Sequence, residues 1–591
     1  MTRDIITIID FGGQYAHLIA NRIRRLGVYT EIVSNDVDPE TLRNSKGIIF
    51  SGGPQSVNTD QSPHIDKKIF DLDIPLLGIC YGHQMFGYYF GATIGRIPEY
   101  GKARLSIHDT TTLFQGCDDE MAVWENHGDA LMTVPEGFRV IASTKDNEVA
   151  ALQHSVYPWY SVQFHPEVTH SGDLGKHLFK NFVFDICQAK PSWNMEQYLQ
   201  ELRTEMRAFV GDRNVFLLVS GGVDSTVCFA LLNDILGKER VFGLHIDNGC
   251  MRKNESNMVK QMMHERGFDN LEVYDAEEEF LSALKEKYAP EEKRKIIGKV
   301  YLDVKDKALE KYDLDPQHWL LAQGTIYPDT IESGGTKNSD TIKTHHNRVD
   351  QIQELIEKGL IVEPIKELYK DEVRELGRVL GLPDELVDRH PFPGPGLAIR
   401  ALCSAKHEAQ STKLLQYSQL LHTLPLMSVG IKGDARSYAH PAVVVGEYDF
   451  EKFQTIMTDI TNANREINRL IWLIADMNIE EGIIHEQYID KAYMDTLREA
   501  DNITMTALRD HNLMNIVWQC PTVIMPFGTQ EKPYSIVIRP IDSIDAMSAQ
   551  AVNLGEKVLR EIAGSIQTTC PEIFAVFFDL TSKPPGTIEW E

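Results

Sequence analysis

Two short stretches of the chain combine small residues with side chains that can do chemistry. The first, residues 220–226, reads SGGVDST and follows an apolar run at 215–219 that is typical of a buried strand. An apolar-periodic helix is expected to begin near Ser225. A strand, a glycine turn and a helix N-terminus direct free N–H groups and the positive end of the helix dipole at one point. The pattern therefore predicts an anion site, such as one for phosphate.

The residue types in this turn fit that chemistry. Gly221 and Gly222 let the backbone approach an oxyanion without a Cβ in the way, and Asp224 can hold Mg²⁺ beside the phosphates. Hydroxyl donors come from Ser220, Ser225 and Thr226. No GxxxxGK[ST] is present, so the turn is not a Walker A loop. An ordinary strand-to-helix turn is the plainer interpretation, but SGG-x-DS is more specific than a lone glycine pair.

The second stretch, residues 78–82, reads GICYG and has the G-x-C-x-G form of a nucleophile elbow. A cysteine there gains thiolate character from the following helix N-terminus and from a nearby imidazole. A base is found at His165, directly after the predicted strand 160–164, and Glu167 lies two residues further on. Such strand-end positions suit catalytic groups in open α/β sheets. A packing cysteine and a strand-ending histidine are the plainer interpretation, which the joint order makes improbable.

Composition limits the function classes. The 591 residues suffice for three or four domains, and the net charge of −27 argues against nonspecific nucleic-acid binding. Eight scattered cysteines without a CxxC pair favour a reducing cytoplasm. The first residues read as a strand and not as a signal peptide. No run approaches eighteen apolar residues, so no membrane span is expected.

The order of patterns predicts an α/β fold with three domains. Residues 1–190 and 191–400 alternate apolar runs with helical patterns, which favours two open parallel-sheet α/β domains. From about 401 to 591 the pattern changes to that of an α+β domain.

The motifs GICYGHQ and QFHPE resemble those of class I glutamine amidotransferases. The resemblance implies that Cys80 attacks the glutamine carboxamide, that His165 transfers the proton and that Glu167 orients His165. It also implies an oxyanion hole from the Gly53 and Tyr81 N–H groups. Two further residues are assigned more loosely: Gln84 is expected to hold glutamine, and His127, in ENHGD, to have a structural or interdomain role.

The SGGVDST turn resembles the PP-loop of the ATP pyrophosphatases, which implies binding of MgATP. The implied ATP-binding residues are Ser220, Gly221, Gly222, Val223, Asp224, Ser225 and Thr226, with Asp224 as the Mg²⁺ ligand. Downstream, IKTHHN (342–347), EPIKELYKDEVRELG (363–377) and RHPFPGPGLAIR (389–400) resemble, in order, segments of the GMP synthetase family. That likeness implies a lid formed by Lys343, His345 and His346.

The C-terminal third resembles the same family in KGDARSYAHPAVVV (432–445), VWQCP and the tail DLTSKPPGTIEWE. The implied residues for xanthosine monophosphate (XMP) are Tyr327, Asp434, Gln519, Lys583 and Glu589. The tail, with two prolines and an aromatic residue, is expected to fold back. Residues 446–530 are longer than in compact bacterial members, which dimerise through this domain, so homodimer and monomer both stay open. Position 327 is Tyr, as in bacterial members of the family. Some eukaryotic members instead carry Arg at this position.

The resemblance covers nearly the whole chain and implies ATP-dependent amination of XMP to GMP through an adenyl-XMP intermediate. Ammonia comes from glutamine, and the partners are small molecules without nucleic acid or membrane. Three alternatives stay open on the residues alone. A tRNA-thiolating enzyme would use Cys228 or Cys250 near the loop and a basic surface. An NAD synthetase shares the loop but not the tail, and a nucleotide-sensing scaffold would need no intact triad.

Overall fold

The computed structural model describes residues 3–591 except 14, 54–55, 60–61, 169–170, 316, 328, 330–359, 406–414, 419–420, 433–434, 465, 476 and 544–548. The chain divides into two compact units. The first comprises Met1–Phe209, Gly324–Lys358 and Glu363–Val379, and the second Val210–Gln323, Gly359–Val362 and Leu380–Glu591. The predicted middle domain, 191–400, is thus shared between both units.

A buried ion pair explains why the segment Glu363–Val379 joins the first unit. Arg24 Nη1 lies 3.1 Å from a carboxylate oxygen of Glu372, and both side chains are less than a tenth exposed. The same guanidinium lies near the rings of Tyr29 and Tyr369. A buried charge of this kind is stable only with its partner in place, so the segment is held to the amino-terminal part of the chain.

The first unit is built on a nine-stranded sheet. Its elements up to residue 210 are β1 (Ile5–Asp10), α1 (Ala16–Arg24), β2 (Tyr29–Ser34), β3 (Gly47–Phe50), β4 (Leu76–Ile79), α2 (Tyr81–Tyr89), β5 (Ile94–Ile107), β6 (Glu120–Leu131), β7 (Phe138–Ser143), β8 (Ala151–His154), β9 (Trp159–Val162), α3 (Gly172–Lys180) and α4 (Met195–Val210). The strand order is β2-β1-β3-β4-β9-β8-β7-β5-β6. The four pairings that join β2, β1, β3, β4 and β9 are parallel. The pairings that join β9, β8, β7, β5 and β6 are antiparallel.

Alternation along the parallel strands buries both faces of this sheet. Leu77 and Ile79 of β4 belong to one apolar cluster, whereas Leu76 belongs to another. Successive side chains on a strand point to opposite faces, so each cluster covers one face. A parallel sheet needs this double cover, and its carboxyl edge is left for polar groups.

The middle of the chain forms a five-stranded sheet in the second unit. The elements are β10 (Asn214–Leu218), α5 (Val223–Leu236), β11 (Val241–Asp247), α6 (Glu255–Glu265), β12 (Leu271–Asp275), α7 (Glu277–Leu284), α8 (Pro290–Lys311), β13 (Trp319–Ala322), β14 (Ile361–Val362), then α9 (Lys370–Val379) of the first unit and α10 (Asp384–Val387). The order is β12-β11-β10-β13-β14, and all four pairings are parallel. The central strand, β10, leads into the SGGVDST turn.

The carboxyl-terminal part forms a mixed sheet in the same unit. Its elements are β15 (Leu415–Ser418), β16 (Leu421–Thr423), β17 (Ser428–Lys432), β18 (Ala435–Val444), α11 (Phe450–Ala463), β19 (Ile467–Leu473), β20 (Ile483–Ile484), α12 (Lys491–Asp510), β21 (Thr522–Met525), β22 (Phe527–Gly528), β23 (Tyr534–Ile538), β24 (Ile541–Asp542), β25 (Gln550–Ala551), α13 (Glu556–Thr569) and β26 (Ile573–Asp579). The main order is β15-β16-β18-β19-β26-β23-β21. The predicted fold class is confirmed.

The stretch predicted to be longer than in compact relatives, 446–530, contributes to the interior of this domain. Its strand β19 lies between β18 and β26, and all seven of its residues are buried. Trp472 of β19 and Leu497 of α12 belong to the apolar cluster that also contains Phe216 of β10. This stretch is therefore part of the core and not an appendage to it.

Candidate active sites

Cys80 lies in the sharp turn between β4 and α2. Its backbone has φ 53° and ψ −100°, in the positive-φ region that non-glycine residues rarely adopt. Added Cβ atoms on the flanking glycines would come within 2.4 Å of backbone oxygens: those of Gly82 for Gly78, and of Phe50 for Gly82. Only glycine fits at positions 78 and 82. The reactive side chain of the turn is therefore that of Cys80, which occupies the strained position between them.

His165 and Glu167 follow β9, the parallel neighbour of β4. Ile79 and Val162 are register partners at the ends of these strands, so the two loops leave the same edge of the sheet. His165 Nδ1 lies 2.6 Å from Glu167 Oε1, and both residues are buried. The structure thus brings the three predicted triad residues to one edge.

The protonation of His165 is controlled by its two neighbours. Burial lowers the pKa of this imidazole, but the Glu167 carboxylate and the Cys80 sulfur outweigh it, and the pKa is raised well above the usual histidine value. The charged imidazolium is therefore favoured between these two groups. A proton held there is available for a leaving group.

The predicted oxyanion residues lie against each other beside the turn. A Cβ on Gly53 would meet the Tyr81 ring at 3.0 Å. Tyr81 is the first residue of α2, so its N–H is one of those that a helix does not use internally. Gln84 donates from Nε2 to the carbonyl of Asp129 at 2.6 Å, which fixes its amide.

Two residues of this site were missed by sequence reasoning. Gln163 Nε2 lies 3.7 Å from Cys80 Sγ, in a fully buried position. Arg22 of α1 donates from Nε to the carbonyl of Glu167 at 3.0 Å. Gln163 stands in the QFHPE motif and could have been found there, whereas Arg22 carries no local signal.

The SGGVDST turn connects β10 to α5 and is held by its own hydroxyl groups. Ser225 Oγ accepts from the Ser220 N–H at 3.1 Å and lies 3.0 Å from Ser220 Oγ. Gly221 has φ 82°, which a side-chain-bearing residue would adopt only with strain. The helix begins at Val223, two residues before the predicted start, with Gly222 as its N-cap.

A partly buried arginine and a buried histidine hold this turn from outside, and sequence reasoning missed both. Arg389 Nη1 donates to the Gly221 carbonyl at 2.6 Å, and its Nη2 pairs with Glu255. His245 lies within hydrogen-bonding distance of the Val219 carbonyl through Nδ1, at 2.7 Å, and burial lowers its pKa. Both contacts engage carbonyl oxygens, whereas the N–H groups of Ser220 and Gly222 donate to Ser225 Oγ and Ser220 Oγ.

The carboxyl terminus is folded into the second unit, as the tail composition predicts. Trp590 is fully buried and donates from Nε1 to Asp579 Oδ2 at 2.9 Å. The guanidiniums of Arg469 and Arg539 bond to carbonyl groups of the tail. The last residues are therefore part of the core.

Two of the residues predicted for XMP, Glu589 of the tail and Gln519, contact each other. Glu589 accepts from Arg400 Nε at 3.0 Å and from Nη2 at 2.8 Å, a bidentate pair in which Arg400 is fully buried. Gln519 Nε2 lies 3.3 Å from Glu589 Oε1. Lys583 pairs through its backbone with Ala549, and its side chain is half-buried. Arg400 was missed, although it ends the RHPFPGPGLAIR motif.

Four of the predicted residues lie outside the described part of the chain: Lys343, His345, His346 and Asp434. Tyr327 belongs to the first unit, half-buried, with its ring centroid 5.2 Å from that of Tyr369.

Comparison with known proteins covers the whole chain. Residues 7–186 match the family described as glutamine amidotransferase class-I, residues 195–321 match NAD synthase, and residues 506–590 match the GMP synthase C terminal domain. A probable glutamine-hydrolysing GMP synthase of Leptospira interrogans is 46% identical over 604 residues, covering 99% of each chain. The GMP synthase of Aquifex aeolicus is 36% identical over 604 residues and covers 100% of both chains. That of Saccharomyces cerevisiae is 36% identical over 605 residues, covering 100% of this chain and 98% of the yeast protein.

The chain belongs to the glutamine-hydrolysing GMP synthase family. The NAD synthase match is confined to the part with the SGGVDST turn, as expected for a loop that several ligase families share. The carboxyl-terminal match and the full-length relatives favour the GMP synthase family over an NAD synthetase.

Membership of the GMP synthase family also agrees with the state of the cysteines. A tRNA-thiolating enzyme needs reactive thiolates near its loop, but Cys228 is fully buried and burial raises the pKa of Cys250 to about 12. All eight cysteines are free. Among helices in the described ranges, none has both the length and the apolarity that a bilayer crossing requires.

Proposed function

We propose that this chain aminates XMP to GMP in an ATP-dependent reaction, with ammonia obtained from glutamine. The observation that carries the proposal is a buried Cys80–His165–Glu167 arrangement in a chain that also contains the SGGVDST turn and the GMP synthase tail. The three-residue arrangement supplies a glutaminase. The SGGVDST turn and the tail supply an adenylylating ligase.

In the glutaminase half, the Cys80 sulfur attacks the carboxamide carbon of glutamine. The Gly53 and Tyr81 N–H groups stabilise the oxyanion, and a donor of this kind contributes about 10²–10³-fold in rate. His165 gives its proton to the departing ammonia, and Glu167 keeps the imidazole oriented through the 2.6 Å contact. Water then hydrolyses the thioester to glutamate.

In the synthetase half, O2 of the xanthine ring attacks the α-phosphorus of ATP, and pyrophosphate leaves. Ammonia then displaces AMP from the activated C2 and forms GMP. The N–H groups in the first turn of α5 receive the phosphates, with the hydroxyls of Ser220 and Ser225 beside them. Adenylylation is needed because the ring oxygen is otherwise a poor leaving group.

Mg²⁺ is part of the proposal, with Asp224 as its ligand in the first turn of α5. The donors around it, a carboxylate and two serine hydroxyls, are oxygen groups of the type that Mg²⁺ prefers. When bound, the ion neutralises charge on the departing pyrophosphate.

For XMP we propose Tyr327, Asp434, Gln519, Lys583 and Glu589. The lid residues Lys343, His345 and His346 are proposed to act on the phosphates. Support comes from the tail, where Arg400 fixes both oxygens of Glu589 and Gln519 approaches the same carboxylate. A carboxylate held in this way can accept from ribose hydroxyls without reorienting.

We further propose that glutamine hydrolysis waits for adenylylation of XMP, because an uncoupled Cys80 would waste glutamine. A full rate of glutamine turnover without ATP and XMP would contradict this.

The eight free thiols favour the reducing cytoplasm as the compartment.

Isotope transfer tests the proposed reaction directly. XMP labelled with ¹⁸O at O2 is incubated with MgATP and glutamine, and AMP, pyrophosphate and GMP are analysed by mass spectrometry. We expect one ¹⁸O in the phosphate of AMP for each GMP formed. Label released to water, or GMP formed with unlabelled AMP, would overturn the adenyl-XMP route.

A further inference from the structure

A second group of ionisable side chains lies in the first unit, on the antiparallel pair β5 and β6. Glu99 of β5 and His127 of β6 are register partners, so they stand directly opposite each other. Glu125 precedes His127 by two residues and therefore projects from the same face of β6. None of the three belongs to the triad.

Two of these side chains, Glu125 and His127, are buried without hydrogen bonds of normal geometry to any described residue. Glu125 and His127 are each 1% exposed at the side chain, and Glu99 is 9% exposed. Within the described part of the chain, no hydrogen-bond partner is found for either carboxylate oxygen of Glu125 or for either ring nitrogen of His127. Burying such groups without a hydrogen-bond partner is unfavourable, most of all for a charged group. A further ligand at this place would remove that cost.

The spacing of the ligand atoms also fits a metal coordination shell. His127 Nε2 lies 3.2 Å from Glu125 Oε2 and 3.5 Å from Glu99 Oε2. A tetrahedral ion with ligands at about 2.0–2.1 Å places neighbouring ligand atoms about 3.3–3.4 Å apart. One atom from each of the three residues lies within 4.8 Å of the others.

The contact of Glu99 with Thr144 resembles the outer hydrogen bond that often orients a metal ligand. Thr144 Oγ1 donates to Glu99 Oε1 at 3.0 Å and lies 3.3 Å from Oε2. Such outer partners orient ligating carboxylates and restrict them to one geometry. Glu99 is thereby held facing His127, while Glu125 stays available.

We propose that Glu99, Glu125 and His127 form a binding site for one divalent transition-metal ion of the Zn²⁺ type. Two carboxylate oxygens and one imidazole nitrogen supply three positions of a tetrahedron, and a water occupies the fourth. The two negative charges are balanced by the ion, which ties β5 to β6 at this register. The site is independent of the proposed synthase reaction.

Cobalt substitution tests the site in the full-length protein. The metal-free chain, carrying Cys80→Ala so that the Cys80 thiol cannot bind metal together with His165, is titrated with Co²⁺ and followed by visible absorption. We expect one equivalent to bind with the intense absorption of four-coordinate Co²⁺, and Zn²⁺ to displace it. Absence of binding, or only the weak absorption of six-coordinate Co²⁺, would overturn the proposal.

Variants in the same background assign the ion to these residues. Glu125→Gln is expected to lose the four-coordinate absorption, whereas Glu120→Gln, an exposed glutamate on the same strand, keeps it. Thr144→Ala leaves all three ligands in place and is expected to weaken binding by about 10–100-fold. This variant and the stoichiometry of the parent protein decide the matter if Glu125→Gln does not fold. Unchanged affinity in a folded Glu125→Gln chain, or in Thr144→Ala, would contradict the assignment.

Discussion

The turn at Cys80 and the turn at Gly221 have the same local plan and use it differently. Each follows a strand within a parallel sheet and opens a helix, and each has one residue with positive φ. At the first turn that residue is Cys80, with φ 53°, and at the second it is Gly221, with φ 82°. One turn accepts strain to aim a side chain, and the other avoids strain because it needs bare backbone.

Their surroundings differ in the same sense. Cys80 faces an imidazole already paired with a carboxylate, so its chemical partners are in place without a ligand. The Gly221 turn is held by Arg389 and by serine hydroxyls, which fix its shape and supply no reacting atom. In the proposed function, the first turn is a preorganised catalyst and the second a preorganised receptor. Each variant below breaks one of them and spares the other.

The largest effect is expected for Glu167→Gln, which removes the charge beside His165 and keeps its shape. An exchange of this kind in a serine-protease triad lowers kcat by about 10⁴. We expect a loss of similar size in glutamine-dependent GMP formation and no change with ammonium. Glu120→Gln on β6 is the control and should match the wild type. Parallel losses with both nitrogen sources would show that Glu167 does not act through the triad.

Gly221→Ala is expected to have the next largest effect, on the reaction with either nitrogen source. Its Cβ would lie 3.1 Å from Val259 Cγ2, which must give way, and a φ of 82° strains any residue with a Cβ, so the turn is expected to change shape. Displacement of a bound reactant by about 1 Å costs roughly 10²-fold in rate.

Gly267→Ala is the matched control for that experiment, since Gly267 also has φ 82° but no atom within 4 Å of its added Cβ. Both variants should lose about 1–2 kcal/mol in the free energy of unfolding, and only Gly221→Ala should lose activity. Equal activities in the two would contradict the role of the turn.

Arg389→Lys is expected to raise the KM for ATP by about tenfold, because lysine cannot bond the Gly221 carbonyl and Glu255 in the same forked geometry. Arg266→Lys serves for comparison, since Arg266 also donates to a carbonyl, that of Gly381, at an exposed position. Steady-state kinetics with ammonium isolates the effect from the glutaminase. A normal KM in Arg389→Lys would remove this residue from the receptor.

The smallest effect is a displacement of a pH profile. Burial lowers the pKa of His165, but Glu167 and Cys80 raise it by more, so the folded protein keeps the imidazolium to higher pH than a free histidine. Removing the Glu167 charge lowers that pKa. Because the imidazolium donates to departing ammonia, the alkaline limb of glutamine hydrolysis should move to lower pH in Glu167→Gln. An unmoved limb would assign it to another group.

Sequence patterns predicted the features that depend on neighbouring residues. The Cys80 turn and the SGGVDST turn are local, since glycines at fixed offsets and a following helix decide them. His165 and Glu167 were found because they directly follow residues 160–164, whose sequence predicts a strand. The tail was expected to fold back because its two prolines and aromatic residue are unusual for a free terminus.

Features that depend on distant contacts were not predicted. Arg389 lies 168 residues from the Gly221 carbonyl that it bonds, and Arg400 lies 189 residues from Glu589. The assignment of Glu363–Val379 to the first unit depends on Arg24, more than 300 residues earlier in the chain. His127 was expected to have a structural or interdomain role, and its place opposite Glu99 became visible only from the register of β5 and β6.

The most direct test of the account is GMP formation from XMP and MgATP by the wild type and by Cys80→Ala, with glutamine or with ammonium as nitrogen source. We expect the wild type to use both, and Cys80→Ala to lose the glutamine reaction and keep the ammonium reaction. This result would show that the two turns serve separate steps. If Cys80→Ala keeps the glutamine reaction, or if the wild type makes no GMP from either source, the assignment of a glutaminase and an XMP-aminating site to this chain is wrong.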